Sequence, residues 1–395
     1  MRCLSAKPVV TFLGSLFLTA QLVPPANSQT QTSTIIPLQA NKIIYVKQDA
    51  SGDGTGTTWA NAYTDLQAAI AAAAASDEIW VATGTYKPTS DSDRDESFAL
   101  KNFVAIYGGF AGNETSRSQR NWNNNPTILS GDIGIQGTKT DNSYHVVKAS
   151  NTSRSAVLDG FIITQGYADG PGGTAVRNIG GGIYSSNGNA TLANLTISDN
   201  FAENSGGGMY NSSSEPILTN VIFSSNLASS SGGGIYNSSF SNPTIINSLF
   251  YKNSSQKGGG IYNWASSGTI TNTTFSGNLS DFGAAISNNS SSPTVTNSIL
   301  WDNTAAIDGS QILNENNSTT TVTYSLVQGG YGGTNNINAN PLFVDAANGD
   351  LRLQAGSPAI NSGDNSAIAE VTDLAGNPRI VAGTVDMGAY EGAAP

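Results

Sequence analysis

Hydrophobic and β-branched residues recur along the middle of the chain in a fixed pattern, separated by glycine, asparagine and serine. The motif GGGIY begins at residue 180, and further copies begin at residues 206 (as GGGMY), 232, 258 and 283 (as GAAIS). The steps between successive copies are 26, 26, 26 and 25 residues. A fixed period of this length is typical of a solenoid, in which each repeat forms one coil and packs only against its neighbours.

A second motif lies between these copies and ends in asparagine. Its copies are NLTISDN, NVIFSSN, NSLFYKN, NTTFSGN and NSILWDN, beginning at residues 194, 220, 247, 272 and 297. Together with a β-branched stretch ahead of it, each repeat holds three short strands separated by turn residues. Helical repeats need longer helical segments, and propeller blades need about 40 residues or more. The pattern therefore predicts an all-β fold, a right-handed parallel β-helix whose coils stack at about 4.8 Å.

The repeats also predict which side chains stack from coil to coil. We expect an inner aliphatic column of Ile183, Met209, Ile235, Ile261 and Ile286. We place a second column in the neighbourhood of Leu195/Ile197, Ile222, Leu249, Thr274 and Ile299. A shared corner is predicted for the closing asparagines of the second motif, Asn200, Asn226, Asn253, Asn278 and Asn303. We interpret them as structural, because asparagine tolerates left-handed backbone angles and stacked amides bond between coils.

A short capping helix is predicted between Thr64 and Ser76, ahead of the repeats. Thr64 and Gln67 form a capping box there, and Leu66 and Ile70 share one face. Such a helix would cover the open first coil, whose free strand edges otherwise favour aggregation. The predicted organisation is a leader at 1–28, a linker at 29–42, an N-terminal cap with the first coils at 43–125, the β-helix at 126–340 and a C-terminal module at 341–395.

Residues 1–28 have the features of a secretory signal peptide. Arg2 and Lys7 precede an apolar run, VVTFLGSLFLTA, and the sequence ANS at 26–28 fits the small-residue cleavage rule. A membrane anchor is the alternative, but the run is shorter than the roughly 20 residues that span a bilayer. We therefore expect a secreted or outer-surface protein without a transmembrane segment after removal of the leader. Cys3 is the only cysteine, so the mature chain would contain no disulfide.

Composition narrows the classes of function. Charged residues make up 11% of the 395 residues, and 17 basic against 28 acidic residues give a net charge of -11. Nucleic-acid binding needs clustered lysine and arginine, so no nucleic-acid partner is expected. A single histidine and a single cysteine exclude a zinc finger or an iron–sulfur protein.

Several segments resemble known families. The GGGIY copies alternate with FSSN, FYKN and FSGN, at 223–226, 250–253 and 275–278. This alternation resembles the polymorphic outer membrane protein repeat and bacterial right-handed β-helix proteins of the pectin-lyase-like superfamily. The segment 44–88 resembles the N-terminal cap of such secreted proteins. The sequences GSPAINSGDN, TDLAGNPRI and VDMGAYE, within 356–391, resemble the choice-of-anchor Q module. These resemblances imply an exported β-helix, and members that cleave polysaccharides generally do so on an outer face.

An aromatic row is the candidate ligand-binding surface. If the aliphatic column points inward, alternation sends the next residue of each strand outward. The outward residues are Tyr184, Tyr210, Tyr236 and Tyr262, with Trp264 two residues further on. Flat rings with hydroxyls and nearby asparagine amides suit sugar rings. In the alternative interpretation, the tyrosines stack on each other and only shield the sheet.

Residues for catalysis are sparse in the repeats. Glycoside hydrolysis needs two carboxyl groups about 5–10 Å apart. Asp199 and Asp302 share a position but lie several coils apart. His145 lies in an apolar stretch, where a histidine is more often structural than a base. The best remaining combination is Arg154, Asp159 and Arg177, next to the insertion at 167–179. We therefore assign no catalytic residue.

No cofactor is expected from the sequence, and calcium is the one ion for which it offers candidate ligands. Asp91, Asp93 and Asp95 lie in one charged loop, for which a solvated loop without metal is the alternative. Asp49 and Asp53 resemble the first half of a calcium loop, but Ala60 stands where the twelfth-position glutamate is needed.

Two functions remain open from the sequence. The first is a non-catalytic, adhesin-type β-helix that binds a glycan or a host or cell surface. The second is a carbohydrate-active enzyme, a polysaccharide lyase or glycoside hydrolase. Only the resemblance in fold supports the second function, and a fold does not determine a reaction.

Overall fold

The computed structural model of the protein describes residues 42–173 and 176–392. The predicted leader at 1–28 lies outside the described residues, as does the predicted linker apart from residue 42. Among the described residues, no helix has the length and apolar character needed to cross a membrane.

One α-helix, Leu66–Ala72, lies ahead of the coils. The side chain of Asp65 accepts a hydrogen bond from the backbone N–H of Gln67, so Asp65 is the N-cap and the predicted capping box at Thr64 is wrong. Leu66 and Ile70 are buried as expected, and the helix packs against the strands Ile43–Val46 and Glu78–Ala82. The predicted cap over the first coil is therefore present. Short 3-10 helices lie at Arg117–Gln119, Lys139–Asp141, Ala346–Asn348 and Asn365–Ala367.

The GGGIY motifs form a parallel sheet, here called the first sheet. Its strands are Phe98–Ala99, Val147–Lys148, Ile183–Ser186, Met209–Ser212, Ile235–Ser238, Ile261–Trp264, Ile286–Asn289 and Ile312–Glu315. The predicted column from Ile183 to Ile286 is in register and at most 1% exposed, which confirms it. Val147 and Ile312 continue the column at its two ends.

A larger parallel sheet, the second sheet, contains two rows of strands. The first row contains Ile43–Val46, Glu78–Ala82, Ala105–Phe110, Val157–Asp159, Thr244–Ile246, Thr269–Thr271, Thr294–Thr296 and Thr321–Thr323. The second row contains Gly84–Tyr86, Thr127–Ser130, Ile162–Thr164, Leu249–Tyr251, Thr274–Ser276, Ile299–Trp301 and Leu326–Val327. The longer strands Thr191–Ser198 and Ile217–Ser224 run through both rows.

The third sheet and the C-terminal strands are smaller. The third sheet contains Tyr167–Ala168, Phe201–Ala202 and Leu227–Ala228, with Leu279–Phe282 and Thr304–Asp308 as a pair further along. The C-terminal strands form the antiparallel pairs Phe343–Asp345 with Asp350–Leu353, and Ile380–Val381 with Thr384–Val385.

The core is a stack of aliphatic and aromatic columns along the solenoid axis. In the first row, the inward residues in register are Ile44, Ile79, Ile106, Leu158, Leu192, Leu218, Ile245, Ile270, Val295 and Val322. One such residue per coil gives ten coils over the described chain. Burial of this continuous column stabilises the solenoid without a disulfide, because each coil removes apolar surface of its neighbours from water.

The second predicted column is correct at Leu195 and Ile197 and is displaced by one residue in the four later coils. The inward residues are Ile197, Phe223, Phe250, Phe275 and Leu300, and the phenylalanine rings stack at 4.9 and 4.6 Å between centroids. Ile222, Leu249, Thr274 and Ile299 occupy the adjacent positions and face away from this core. Alternation along a strand explains the correction, since a shift of one residue exchanges the two faces.

The asparagine corner is a hydrogen-bonded ladder, as predicted. Each side-chain amide donates to the Oδ1 of the next asparagine, at 3.1, 2.9, 3.0 and 2.8 Å from Asn200 to Asn303. The left-handed residue is the one ahead of each ladder asparagine, such as Asp199 with φ 56° and Lys252 with φ 53°. A second ladder, which the sequence interpretation missed, joins the buried Asn211, Asn237, Asn263 and Asn288 and ends at the exposed Asn314.

The C-terminal segment packs on the outer face of the second row. Ile299 and Leu326, which face outward, form a cluster with Leu353, Ala359 and Met387. The backbone N–H of Ala389 donates to Thr274 Oγ1 at 3.0 Å. A Cβ at Gly388 would approach Ile299 Cδ1 to 2.7 Å, so the close approach requires glycine.

A buried ionic cluster holds this segment together. Arg379 is 1% exposed and donates to the backbone carbonyls of Asp386, Gly388 and Ala389. Its Nε lies 3.9 Å from Glu391 Oε2, and Glu391 accepts hydrogen bonds from two backbone N–H groups. Burial is the main reason why the pKa of Glu391 is raised to about 7.

Candidate functional site

The four predicted tyrosines form one continuous stack on the outer face of the first sheet. The ring centroids are 5.8 Å apart between Tyr184 and Tyr210, 5.2 Å between Tyr210 and Tyr236, and 5.4 Å between Tyr236 and Tyr262. The planes differ by at most 17°. Register places them there, because the four strands pair residue for residue. His145 extends the stack below Tyr184, at 5.1 Å.

This geometry leaves the ring edges facing solvent, while the ring faces cover each other. Burial raises the pKa of Tyr184, Tyr236 and Tyr262, so these hydroxyls are neutral at physiological pH. Tyr262 is only 7% exposed. A sugar ring stacks on an aromatic face, and the inner rings of the stack offer none. The stack therefore favours the interpretation in which the tyrosines shield the sheet.

Trp264 is the member of the predicted set that stays open. It is 50% exposed and pairs in register with Ser238 and Asn289, which are not aromatic. Phe240, in the turn of the neighbouring coil, is 76% exposed. The structure thus brings the tyrosines together and leaves Trp264 beside the stack, as a separate exposed aromatic position.

A groove on the outer face of the first row is the more developed surface. Glu78, Tyr107 and Asp159 project from successive coils, and the segment 111–126 lies over them. Arg117 Nη1 donates to Glu78 Oε1 at 3.0 Å and to the Tyr107 hydroxyl at 2.8 Å. Arg120 Nη2 donates to Asp159 Oδ2 at 2.7 Å.

The overlying segment is fixed by local structure. Ser116 and Gln119 form a capping box on the 3-10 helix Arg117–Gln119, which directs both arginines towards the sheet. Gly109 has φ 88°, and a Cβ there would lie 2.8 Å from the backbone of Trp122. Glycine therefore allows the chain carrying Trp122 to lie against the coil.

Trp122 joins two parts of this groove, here called the Trp122 groove. One part has a volume of about 570 Å³ and is lined by Glu78, Ser116, Ser118 and both arginines. The other has a volume of about 170 Å³ and is lined by backbone and side chains that include Asn194 and Thr196. Trp122 is 37% exposed, and the Arg120 guanidinium lies 4.9 Å from its ring centroid. An aromatic ring, hydroxyls and amides thus share one open channel.

The charges in the Trp122 groove cancel. Each arginine is paired with a carboxylate, Arg117 with Glu78 and Arg120 with Asp159. Asp159 Oδ1 accepts a further hydrogen bond from Asn194, at 2.8 Å. Burial raises the pKa of the Tyr107 hydroxyl, which keeps it a neutral donor. The groove therefore presents polar groups of both hydrogen-bonding types without a net charge.

The residues considered for catalysis do not converge. Asp159 pairs with Arg120, whereas Arg177 forms a two-pronged pair with Asp95. Arg154 is exposed, and its backbone carbonyl accepts a hydrogen bond from Thr191. The inferred site of Arg154, Asp159 and Arg177 is therefore not assembled.

Two further candidates for catalysis occupy structural positions. Asp199 and Asp302 occupy the same corner four coils apart, which is about 19 Å at the strand spacing. His145 is buried, burial lowers its pKa to about 4, and it bonds the carbonyl of Gly180. It is neutral at physiological pH.

The aspartates considered as calcium ligands are each engaged in separate ion pairs or hydrogen bonds. Asp49 pairs with Lys47 at 3.5 Å, and Asp53 accepts from the N–H and hydroxyl of Thr55. Asp91 and Asp93 accept from backbone N–H groups of their own loop, and Asp95 binds Arg177. Within 42–173 and 176–392, no group of three or more histidine, cysteine or acidic side chains is arranged to hold a metal ion. Calcium binding at these loops stays the alternative to the solvated-loop interpretation.

A family model and one solved structure support the fold. A family model described as "Right handed beta helix region" matches residues 181–346, and no curated protein matches the sequence. The chain is similar to the crystal structure of pectate lyase Pel9A, with 14% identity, a TM-score of 0.51, and coverage of 89% of this chain and 96% of that one. It is also similar to the pectin methylesterase from Aspergillus niger, with 12% identity, a TM-score of 0.39, and coverage of 75% and 86%. The protein is a right-handed parallel β-helix, which confirms the predicted fold class.

Proposed function

We propose that this protein is an exported, non-catalytic β-helix that binds carbohydrate in the Trp122 groove. The observation that carries the proposal is the composition of the groove, with one open aromatic ring flanked by fully paired charges. Carbohydrate recognition combines an apolar contact to the sugar ring with polar groups that bond its hydroxyls. Export rests on the leader-like residues 1–28, and the extracellular partner is a glycan of a cell or host surface.

The paired charges favour an uncharged glycan. A charged ligand must compete with the internal partner of each guanidinium or carboxylate before it gains its own contact. Asp159 and Arg120 each have about a tenth of the side chain exposed, so the cost of separating them is high. A neutral hydroxyl can instead accept from or donate to groups that keep their present partners.

The alternative is a lyase or hydrolase acting in the same groove. Its support is the fold shared with pectate lyase Pel9A, and a shared fold does not determine a reaction. Each carboxylate in the groove is bonded to an arginine, Glu78 to Arg117 and Asp159 to Arg120, so neither faces the open groove without a partner, as a general acid or base would. The paired carboxylates therefore favour binding without turnover.

A binding and turnover assay with neutral and acidic polysaccharides tests the proposal. We expect retention on at least one neutral polysaccharide, no release of reducing or unsaturated ends, and at least a tenfold loss of affinity for Trp122→Ala. Phe103→Ala removes another exposed aromatic residue and serves as the control, with unchanged binding. Binding that survives Trp122→Ala but is lost in Trp264→Ala would move the site to the first sheet. Release of sugar would contradict the non-catalytic function and support the lyase or hydrolase instead.

A further inference from the structure

A separate cleft opens at the corner between the second row and the third sheet. Gln165 and Asp199 lie at this corner in adjacent coils, with left-handed φ angles of 62° and 56°. The corner continues in later coils, and at this point the segment 131–146 stands beside it. The 3-10 helix Lys139–Asp141 belongs to this insertion, and the resulting cleft has a volume of about 250 Å³.

One wall of the cleft is apolar. The rings of Tyr167 and Phe201 stack at 4.6 Å between centroids, and Leu227 follows in the same column of the third sheet. Leu227 is 44% exposed. A ligand that covers this wall would remove its apolar surface from water, which favours binding.

The opposite side of the cleft carries polar groups that the protein leaves open. Lys139 and Asp199 are exposed, and neither side chain forms an ion pair or hydrogen bond with the described residues. The side-chain amide of Gln165 has no such bond either. A cation, a carboxylate and an amide therefore face one small volume next to an apolar wall.

A buried amide oxygen gives an independent indication of a ligand. Asn142 lines the cleft and is 2% exposed. Its Nδ2 donates to the carbonyl of Gln165 at 2.7 Å, but its Oδ1 has no hydrogen-bond partner within the described structure. Buried polar atoms are almost always paired, so an unpaired oxygen on a residue that lines the cleft indicates a donor beyond the described residues.

We propose that this cleft binds a single uncharged hexose ring, as a second site beyond the Trp122 groove. The volume is below the roughly 300–1,000 Å³ of pockets for drug-sized ligands, so one ring is the fitting size. A pyranose has an apolar face for Phe201 and Leu227, and hydroxyls that can bond Asp199, Lys139 and the amides. Because the lysine and the aspartate have opposite charges, the cleft has no net preference for a uronic acid or an amino sugar.

Saturation-transfer NMR and calorimetry on the exported protein test this inference with three probes: a neutral hexose, its uronic acid and its 2-amino sugar. We expect saturable binding of the neutral hexose, weakened at least tenfold in Asp199→Asn and in Leu227→Ala. The chain supplies matched controls. Asp302→Asn changes the same corner four coils away, and Leu279→Ala changes an exposed leucine of the same column. Both controls should bind like the parent protein.

The outcomes separate this site from the Trp122 groove. Loss of hexose binding in Asp199→Asn with retention in Trp122→Ala supports the cleft, whether or not polysaccharide binds the groove. The inference is overturned if no neutral hexose binds, or if only the charged sugars bind. It is also overturned if Asp199→Asn and Asp302→Asn have equal affinities. Hexose binding lost only in Trp122→Ala would assign the ligand to the groove and leave the proposed function standing.

Discussion

At the residue scale, the ladder asparagines illustrate how one side chain serves two coils. The Oδ1 of Asn253 accepts from both the backbone N–H and the Nδ2 of Asn226, at 3.1 and 2.9 Å. Its own Nδ2 donates to the carbonyl of Phe223 and to Asn278. The structural role was predictable from the repeated asparagine. The sequence did not predict which residue of the corner adopts the left-handed backbone conformation. The residue before each asparagine is at a polar corner too, and it can adopt that conformation equally well.

Replacing a ladder asparagine should therefore be costly. In Asn253→Ala, the two donors of Asn226 and the carbonyl of Phe223 lose their partner in a dry interior. Each buried unsatisfied group costs about 1–3 kcal/mol, so we expect the free energy of unfolding to fall by roughly 3 kcal/mol or more. Urea denaturation followed by circular dichroism measures this change.

Asn124→Ala is the matched control for the ladder substitution. Asn124 is exposed, and its side chain makes no hydrogen bond with the described residues. We expect a change within about 0.5 kcal/mol, as for other surface substitutions. Equal effects of the two substitutions would mean that the ladder contributes nothing specific to stability.

At the element scale, the strands of the second row show why the register was missed. Leu249 and Phe250 are both buried, at 4% and 0% exposure, although they point to opposite faces. Period-2 alternation identifies the inner face only when the outer face is polar. Here the C-terminal segment covers the outer face, so both faces carry apolar residues and the strand pattern alone is ambiguous. The first sheet lacks this cover and was predicted in register.

One substitution on each face of the strand distinguishes the contributions of the two faces to stability. Phe250→Ala removes the middle ring of the phenylalanine stack, and we expect a loss of about 3–5 kcal/mol from a core cavity. Leu249→Ala truncates a buried, outward-facing side chain in the strand whose Tyr251 donates to the carbonyl of Ala346, and we expect a loss of about 2–3 kcal/mol with a selective opening of residues 341–392. Limited proteolysis read by mass spectrometry distinguishes them. Early cleavage within 341–392 should occur in Leu249→Ala before the coils unfold, and its absence would contradict the covering role.

At the scale of the whole molecule, the candidate sites come from segments that interrupt the repeats. The Trp122 groove brings Arg117 onto Glu78, and the cleft at the corner is lined by both Lys139 and Asp199. The residues of each site are remote in sequence and come together through the stacking of the coils. The repeat period predicts the stacking but not the path of an insertion. Arg117, Arg120 and Trp122 were therefore missed, although the run RSQRNW is conspicuous in a chain with few charges.

The C-terminal segment should respond to pH through Glu391. Its carboxyl lies 3.9 Å from Arg379 Nε and accepts hydrogen bonds from the backbone N–H groups of Val381 and Asp386, and burial raises its pKa from 4.5 to about 7. The folded state therefore binds this proton more tightly than the unfolded state. The resulting stability is fully present below about pH 4.5 and is lost as the pH rises through 7. Burial also raises the pKa of Asp386, which adds to the effect.

We expect cleavage within residues 341–392 to be faster at pH 8 than at pH 5.5, after correction for protease activity. Glu391→Gln keeps a neutral side chain at every pH and should flatten most of this dependence, whereas Asp345→Asn, at an exposed carboxylate of the same segment, should not. A profile that is equally steep in Glu391→Gln would exclude Glu391 as the titrating group.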